Sequence, residues 1–349
     1  MHFESGDFDF HGPDSTVVIA EVGVNHNGSA ALAQSMIDIA RAAGAHIVKF
    51  QAFNSAKEIS RYAPKAQYQI ENTGAGENQL ELCRALELNA ETLKALKDYC
   101  AHIGMPFLCT AFDFDSVDVL FDTLKVASIK IGSAEITNIP FLQYIGAKKL
   151  GTILSTGAST LAEVGRAVAA LQRAGCPELV LLHCVTSYPT PVAQANLRAM
   201  QTLRQEFGLP TGFSDHTAGI EAAIAAAALG ACAVEKHFTT DRSLPGPDHR
   251  ASVEPHELAA LVLGVAAANQ SLGSAVKQPA PCELANLPLI RKSLVAARNL
   301  PAGTRLARAM VEIKRPQGGI EPGDLEQVLG RELKRAVLED MPITWDDLA

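Results

Sequence analysis

The sequence predicts a closed (β/α)8 barrel followed by a small, turn-rich domain. Eight short apolar runs alternate with amphipathic stretches up to Gly273. Beyond that residue the alternation stops and the chain becomes rich in Pro and Gly. Strand–helix alternation repeated eight times is the pattern of a barrel with helices outside. The length of 349 residues fits this organisation, since a barrel takes about 250 residues.

The apolar runs are the candidate strands, and most are nearly continuous in hydrophobic residues. In order they are Val17–Glu21, His46–Gln51, Pro106–Thr110, Ser128–Ile131, Thr152–Ser155, Leu179–Cys184, Thr211–Ser214 and Ala233–Phe238. Runs without polar alternation indicate parallel strands covered on both faces. An open, doubly wound sheet is the alternative, but no GxGxxG fingerprint follows any of these runs.

The stretches between the strands carry helix start and stop signals. Thr160 and Glu163 form a capping-box pattern, and Gly residues follow the apolar periodicity where helices are expected to end. The predicted helices cover Ala30–Ala43, Asn89 to His102, Thr160 to Gly175, Ala218–Leu229 and Pro255–Leu272. Each one follows a candidate strand, which supports the barrel.

We divide the chain into four parts. Residues 1–15 are an N-terminal extension, 16–275 the barrel, 276–290 a linker and 291–349 the second domain. The linker contains Gln278-Pro-Ala-Pro-Cys, and the second domain is rich in Pro and Gly with short strands such as Ser293–Ala297.

Composition excludes several classes of function. A formal net charge of −8 gives no general attraction for nucleic acid or anionic membranes. No apolar run reaches the ~18 residues of a membrane span, and the first residues do not read as a signal peptide. Seven cysteines without a CxxC pair favour a reducing compartment, so we expect a cytoplasmic protein.

Polar side chains cluster where the candidate strands end. They are Glu21, Lys49, Gln51, Thr110, Lys130, Ser133, Ser155, Thr156, His183, Thr186, Ser214 to His216, and Glu235 to His237. In a barrel these strand ends converge on one rim, where barrel active sites lie. The pattern therefore predicts an active site rather than scattered surface polarity.

Two kinds of chemistry are expected at this rim. His216 and His237 end neighbouring strands and can hold one divalent ion with positions left open; the alternative is two ordinary hydrogen-bonded histidines. Lys49 and Lys130, with the hydroxyl of Ser155 before a helix start, suit an anion. Simple helix capping is the alternative for the Ser155-Thr-Gly turn.

At these residues the chain resembles the sialic acid synthase family, which includes N-acetylneuraminate synthase and its legionaminate and pseudaminate relatives. The matching stretches are IAEVGVNHNG from Ile19, VKFQAF from Val48, KIGSAEITNIP from Lys130, ILSTGAST from Ile153, LLHCVTSYPTP from Leu181, GFSDHT from Gly212, EKHFT from Glu235 and LPGPDH from Leu244. RKSLVAARNLPAGT and IKRPQGGIEP resemble the antifreeze-like (SAF) domain that ends these enzymes. The resemblance covers nearly all of Val17–Leu348.

The resemblance implies a phosphoenolpyruvate-condensing synthase with a divalent metal, manganese or magnesium, on His216 and His237. It implies that phosphoenolpyruvate contacts Lys49, Thr110, Lys130, Ser133, Ser155 and Ser214. The N-acylated hexosamine would contact Glu21, Gln51, Glu135, Tyr188, Asp248 and Arg315 of the partner subunit in a domain-swapped homodimer. Glu21, Lys49, Glu135, Asp248 and Arg315 are the candidate catalytic residues. Thr186 stands where some members have an Asn that contacts phosphoenolpyruvate; its hydroxyl can still donate.

Several alternatives stay open. N-acetylmannosamine is the first choice of sugar, and a 2,4-diacetamido-2,4,6-trideoxymannose is the second. A related synthase for a phosphorylated sugar shares the barrel and the anion site, but the second domain argues against it. A catalytically inactive carbohydrate-binding homologue is the non-enzyme alternative, and the intact Lys49, Lys130, His216 and His237 argue against it.

Overall fold

The structure is a computed structural model that describes residues 1–3, 6–10 and 15–349. The chain forms two compact units, Met1–Gly273 and Ser274–Ala349. The first unit is the barrel and the second is the small domain.

Eight parallel strands close into a barrel in which β8 pairs with β1 as well as with β7. They are β1 Val17–Gly23, β2 Ile47–Ala52, β3 Phe107–Ala111, β4 Ser128–Ile131, β5 Gly151–Ser155, β6 Leu179–Cys184, β7 Thr211–Asp215 and β8 Ala233–His237. Every residue of these strands is buried except the half-buried Gln51. The predicted strands and the barrel are confirmed, with small differences at strand ends.

Helices follow every strand. They are α1 Ala30–Ala42, α2 Ser55–Glu58, α3 Gln67–Thr73, α4 Gln79–Arg84, α5 Ala90–Ile103, α6 Phe114–Asp118, α7 Ile139–Ala147, α8 Leu161–Ala174, α9 Ala199–Phe207, α10 Glu221–Ala228 and α11 Pro255–Leu272. A π-helical turn, Val119–Thr123, and 3-10 turns at Ser133–Thr137, Val192–Gln194 and His249–Ala251 complete this unit. The capping box of Thr160 and Glu163 is present on α8, as predicted.

The barrel has two apolar cores. The larger one lies between the strands and the helices, where Met36, Phe50 and Phe141 are fully buried. The second core lies at the amino ends of the strands, where Ile19 and Val180 pack with side chains of the N-terminal segment.

The described residues of the N-terminal segment pack against the amino end of the barrel. Two short antiparallel strands, His2–Phe3 and Gly6–Asp7, begin the chain. Phe3 and Phe10 are each only 2% exposed, because they pack on the inner residues of the barrel. The segment that the sequence presented as a bare extension therefore contributes to the core.

The second unit has a small core of its own. Strands β9 Ser293–Ala296 and β10 Val311–Lys314 pair antiparallel. Short helices α12 Leu287–Ile290 and α13 Leu325–Val328 and 3-10 turns at Pro281–Glu283, Arg308–Met310, Pro322–Asp324 and Trp345–Asp347 surround them. Leu294, Val311 and Ile343 are buried in its centre. In neither unit is a described helix both long and apolar enough to cross a bilayer.

Candidate active site

The carboxyl ends of the barrel strands enclose one polar cavity of about 160 Å³. Twelve of the predicted site residues line it: Glu21, Lys49, Gln51, Thr110, Lys130, Ser133, Ser155, Thr186, Tyr188, Ser214, His216 and His237. Phe112, Gly132, Ala134, Cys184 and Glu235 complete the lining. Other cavities are larger; two of them, of about 380 and 540 Å³, lie beside the N-terminal segment, and their described linings contain no lysine.

Two lysines and two carboxylates form a buried charge cluster at the base of the cavity. Lys49 Nζ lies 3.3 Å from Glu21 Oε2 and 3.1 Å from Glu235 Oε2. Lys130 Nζ lies 3.8 Å from Glu235 Oε1 and donates to Ser155 Oγ at 2.5 Å. Each of the four charged side chains is at most 5% exposed. Mutual pairing is what makes this burial tolerable, because isolated charges would be strongly destabilising.

Protonation differs among these four groups. Burial raises the pKa of Glu21 to about 7, although Lys49 opposes the rise. Burial lowers the pKa of Lys130 to about 8, although Glu235 opposes the fall. Burial alone would also shift Lys49 and Glu235 toward their neutral forms, but their oppositely charged neighbours outweigh it, so the pKa of Lys49 is raised and that of Glu235 is lowered. Of the two carboxyl groups in this cluster, Glu21 is therefore the one able to exchange a proton near neutral pH.

Hydroxyl and backbone donors surround the lysines. Lys49 Nζ donates to Thr110 Oγ1 at 3.2 Å, and Ser214 Oγ donates to Glu235 Oε1 at 2.9 Å. Ser133 Oγ accepts from Gly157 N at 2.8 Å, close to the start of α8. The cap of α8 is already satisfied by Thr160 and Glu163, so the donors that face the cavity lie upstream of the cap.

His216 and His237 lie side by side, with ring centroids 5.6 Å apart. His216 Nδ1 lies 2.8 Å from Val185 O; because a carbonyl only accepts, Nδ1 carries a proton and Nε2 is the nitrogen available to a ligand. Burial would lower the pKa of His216, but neighbouring Cys184 outweighs it and raises that pKa, so a metal ion at Nε2 competes with a proton. Burial lowers the pKa of His237 well below its usual value, which keeps this imidazole neutral as a metal ligand must be. The pair fits a divalent ion with two protein nitrogens. No group of three or more His, Cys, Asp or Glu side chains in the described residues is arranged as a metal cage.

Aromatic rings cover the histidines. The Tyr188 ring stacks on His216 with centroids 4.1 Å apart, and Tyr68 of α3 lies 5.2 Å from Tyr188. Tyr68 belongs to the long connection between β2 and α5, where the sequence pattern predicted no helix or strand. This connection thus forms part of the mouth of the site.

Three predicted residues do not line the cavity. Asp248 lies close enough to His216 and Tyr188 to interact with them electrostatically, and burial raises its pKa to about 6. Glu135 lines a neighbouring cavity of about 280 Å³ and accepts from Asn138 Nδ2 at 2.7 Å. Arg315 belongs to the second unit, where it is exposed and outside the described ion pairs. Its neighbour Lys314 pairs with Asp340 at 2.5 Å and with Glu312.

The Asn25-His26-Asn27-Gly28 segment supports the loop that carries Asp248. Asn25 Nδ2 donates to Phe238 O and to Ser252 Oγ, each at 2.8 Å, and Ser252 Oγ donates to Asp248 O at 2.7 Å. His26 is fully buried and its Nδ1 accepts from Gly28 N at 3.0 Å. His26 is therefore a loop-stabilising residue.

Glu235 and Cys184 are cavity residues to which the sequence assigned no role. Glu235 shares a strand face with His237, so strand alternation was the available signal. Cys184 Sγ lies 3.8 Å from His216 Nδ1 and accepts from Ser133 Oγ at 3.6 Å. A single cysteine at a strand end gives no signal of this kind in the sequence.

Comparison with known proteins agrees with this geometry. Residues 36–277 match the NeuB family, and residues 291–349 match the SAF domain. The chain is 42% identical over 327 residues to N,N'-diacetyllegionaminic acid synthase of Campylobacter jejuni, covering 93% of this chain and 98% of that protein. It is 40% identical to the enzyme of the same name from Legionella pneumophila, covering 95% of this chain and 94% of that protein.

A solved structure shows the same architecture. N-acetylneuraminic acid synthetase of Leptospira borgpetersenii, in complex with citrate, superposes with a TM-score of 0.68 at 35% identity, covering 78% of this chain and 90% of that one. Family match, relatives and fold agree. The chain belongs to the NeuB family of sialic acid synthases and carries a SAF domain after its barrel.

Proposed function

We propose that the cavity condenses phosphoenolpyruvate with the open-chain aldehyde of an N-acylated hexosamine, giving a nonulosonic acid and inorganic phosphate. One observation carries this proposal. Two buried lysines and two imidazoles line the same small cavity, so an anionic enol ester and a carbonyl can meet there. The names of the three relatives given above, each a synthase of such an acid, support it.

Phosphoenolpyruvate is assigned to the lysine side of the cavity. Lys49 and Lys130 offset its phosphate and carboxylate charge, with hydroxyl donors from Thr110, Ser133 and Ser155 nearby. Thr186 and Ser214 line the same wall. Entry of the anion also supplies Lys130 with a charge partner closer than Glu235, which favours its protonated form.

The reaction balances without any further co-reactant. C3 of phosphoenolpyruvate bonds to the aldehyde carbon, and the aldehyde oxygen takes up a proton. Water adds to C2, which carries the developing positive charge, and loses a proton. The C–O bond from the resulting tetrahedral centre to phosphate then breaks, the hydroxyl proton passes to the leaving phosphate, and C2 becomes the ketone of the product. Glu21, with a pKa of about 7, is the candidate for one of these proton transfers.

His216 and His237 are the residues that would hold manganese or magnesium. The free Nε2 of His216 and the neutral ring of His237 supply two nitrogen donors, and oxygens of water or sugar would complete the coordination. Such an ion would polarise the aldehyde as a Lewis acid.

The sugar is assigned to the side of Tyr188 and Gln51. Gln51 Nε2 donates to Glu21 Oε1 at 2.9 Å, which orients both polar groups beside the histidines. We also assign Asp248 to the sugar, and Arg315 to the N-acyl region through a domain-swapped homodimer. The guanidinium of Arg315 is exposed and forms no ion pair with the described residues, which supports that assignment.

For the sugar itself, similarity reverses the order of preference drawn from the sequence and favours 2,4-diacetamido-2,4,6-trideoxymannose. Identities of 42% and 40% to legionaminic acid synthases exceed the 35% to the N-acetylneuraminic acid synthetase. N-acetylmannosamine is the second candidate. A cytoplasmic setting is part of the proposal, because all seven cysteines are free.

One assay tests the proposal. Enzyme, Mn²⁺ and phosphoenolpyruvate are mixed with each sugar, and phosphate release and product mass are followed. Oxygen-18 in the bridging position of phosphoenolpyruvate should appear in phosphate, as C–O cleavage requires. Equal and negligible release with every sugar would instead support a carbohydrate-binding protein.

A further inference from the structure

We propose that a buried ion pair behind the cavity, Asp215 with Lys236, positions the two histidines for the metal. The inference rests on the proposed function, since that proposal assigns the ion to His216 and His237. Neither member of the pair lines the cavity, so both act through their neighbours.

The pair lies on the opposite side of the sheet from the metal site. Asp215 and Lys236 are register partners on β7 and β8, and each directly precedes one of the two histidines. Because side chains alternate along strands, the histidines face the cavity and the pair faces the helix layer. The electrostatic contact of Lys236 with Glu221 of α10 and Glu257 of α11 agrees with this placement.

Lys236 holds the chain on both sides of His216. Its Nζ donates to Asp215 Oδ2 at 2.8 Å and to Thr217 O at 2.6 Å. Asp215 Oδ1 in turn accepts from Thr217 N at 2.8 Å. The residues before and after His216 are therefore both bonded to the residue before His237. The two ligand-bearing strand ends cannot separate without breaking charged, buried hydrogen bonds.

Stability alone is a poor explanation for this pair. Both side chains are 0% exposed, and the desolvation of such a pair commonly offsets its Coulombic gain. Replacement of such a pair by apolar side chains of similar volume is often neutral or stabilising. What a directional ion pair adds is a fixed spacing between two strand ends, and ligand nitrogens must be held within about 0.5 Å for productive binding.

The test replaces the pair by neutral side chains of similar volume. Lys236→Met with Asp215→Asn removes both charges and both lysine bonds, while the Asn oxygen can still accept from Thr217 N. Free Mn²⁺ is measured by electron paramagnetic resonance in titrations of the full chain, at a temperature where thermal unfolding shows each variant folded. We expect the Kd for Mn²⁺ to rise by about 10-fold or more.

Two further variants complete the design. Lys148→Met with Asp118→Asn removes a remote ion pair, whose Nζ–Oδ1 distance is 2.6 Å, and should leave the Kd unchanged. Asp215→Asn alone keeps an acceptor for Thr217 N but turns an NH2 group toward Lys236 Nζ, so the ion pair is lost. Should the double variant fail to fold, this single variant must still bind Mn²⁺ more weakly than the wild type.

The outcomes separate the two proposals. Mn²⁺ binding by the wild type that His216→Ala abolishes, together with the expected loss in the double variant, supports both. Normal binding by a folded double variant overturns the positioning role and leaves the metal site standing. Failure of the wild type to bind Mn²⁺ overturns the metal site and, with it, this role for the pair.

Discussion

Gly23 shows how closely a single residue of β1 approaches the metal site. It adopts a φ of +55°, and a Cβ added there would lie 3.1 Å from His237 Nδ1 and Cε1. β1 is also irregular here, since its register with β2 shifts between Glu21 and Gly23. The irregularity lets the backbone pass beside the imidazole where a side chain would displace it.

We therefore expect Gly23→Ala to weaken Mn²⁺ binding as well as stability. The matched control is Gly104→Ala, with a φ of +72° and no atom within 4 Å of the added Cβ. Both variants should lose about 1–3 kcal/mol of unfolding free energy from backbone strain. Only Gly23→Ala should raise the Kd for Mn²⁺, by about 10-fold, in the titration described above. Equal metal affinity in the two variants would contradict this account.

Asp248 gives a pH dependence with a defined sign. Burial raises its pKa from 3.8 to about 6, so between these values the folded chain binds more protons than the unfolded chain. Its contribution to stability is thus lost as pH rises through 6. Asp248→Asn cannot ionise, and its stability relative to wild type should increase between pH 4 and pH 7, by on the order of 2 kcal/mol.

Denaturant unfolding of both chains across this pH range makes the comparison. Asp241→Asn is the control. Hydrogen bonds from Ser243 lower the pKa of Asp241, so the stability of this variant relative to wild type should fall, not rise, as pH increases. A stability difference for Asp248→Asn that stays constant with pH would show that the carboxyl is not desolvated.

At the scale of elements, the residues that cap helix α8 differ from those expected to bind the anion. Thr160 and Glu163 satisfy the first donors of α8, whereas Ser155 at the end of β5 contacts Lys130. Thr160→Ala should lower the unfolding free energy by about 1 kcal/mol and leave the KM for phosphoenolpyruvate unchanged. Ser155→Ala should raise that KM. Steady-state kinetics and denaturant unfolding of both variants test this, and a raised KM in Thr160→Ala would place the anion at the helix cap.

The elements also show why some parts of the structure could be predicted and others could not. Strands such as β6 are buried along their whole length, so they consist mainly of apolar residues and can be recognised in the sequence. The long connection holding α2 to α4 consists of short helices whose apolar residues contact loops rather than a sheet, so no periodicity marks them. The N-terminal segment was missed because Phe3 and Phe10 are isolated apolar residues in a polar context.

The same reasoning applies to the site. Lys49, Lys130 and the two histidines could be found because strand ends of a barrel converge whatever their distance in sequence. The pairing of Glu235 with both lysines could not, because it depends on the register between strands. The outward pair of Asp215 and Lys236 is equally invisible until β7 and β8 are aligned.

At the scale of the whole molecule, the second unit supplies a cation to a barrel site in our proposal. Ser293 fixes the turn after Arg315, since its Oγ accepts from Gly318 N and Gly319 N at 3.0 Å and donates to Pro316 O at 3.1 Å. Arg315→Ala should raise the KM for the sugar more than that for phosphoenolpyruvate. Lys314→Ala is the matched control, because Lys314 is already paired within its unit. An unchanged sugar KM in Arg315→Ala would argue against the assignment.

Domain swapping predicts that two defective chains can repair each other. In a swapped dimer of a Lys49→Ala chain with an Arg315→Ala chain, one site combines both defects. The other site combines an intact barrel with an intact Arg315 from the Lys49→Ala chain. Chains unfolded together and refolded should therefore recover roughly a quarter of wild-type activity, because half of the dimers are mixed and each has one working site.

Without swapping, every site in the mixture keeps one defect, and activity should equal the mean of the two separate preparations. Refolding each variant alone controls for losses during refolding. Refolded wild type mixed with the double variant Lys49→Ala/Arg315→Ala gives the converse arrangement. Each of its mixed dimers places one defect in each site if the domains swap, but keeps one fully intact site if they do not. A swapped dimer should therefore gain activity in the first mixture and lose activity in the second. A barrel that works with its own second domain should show neither change.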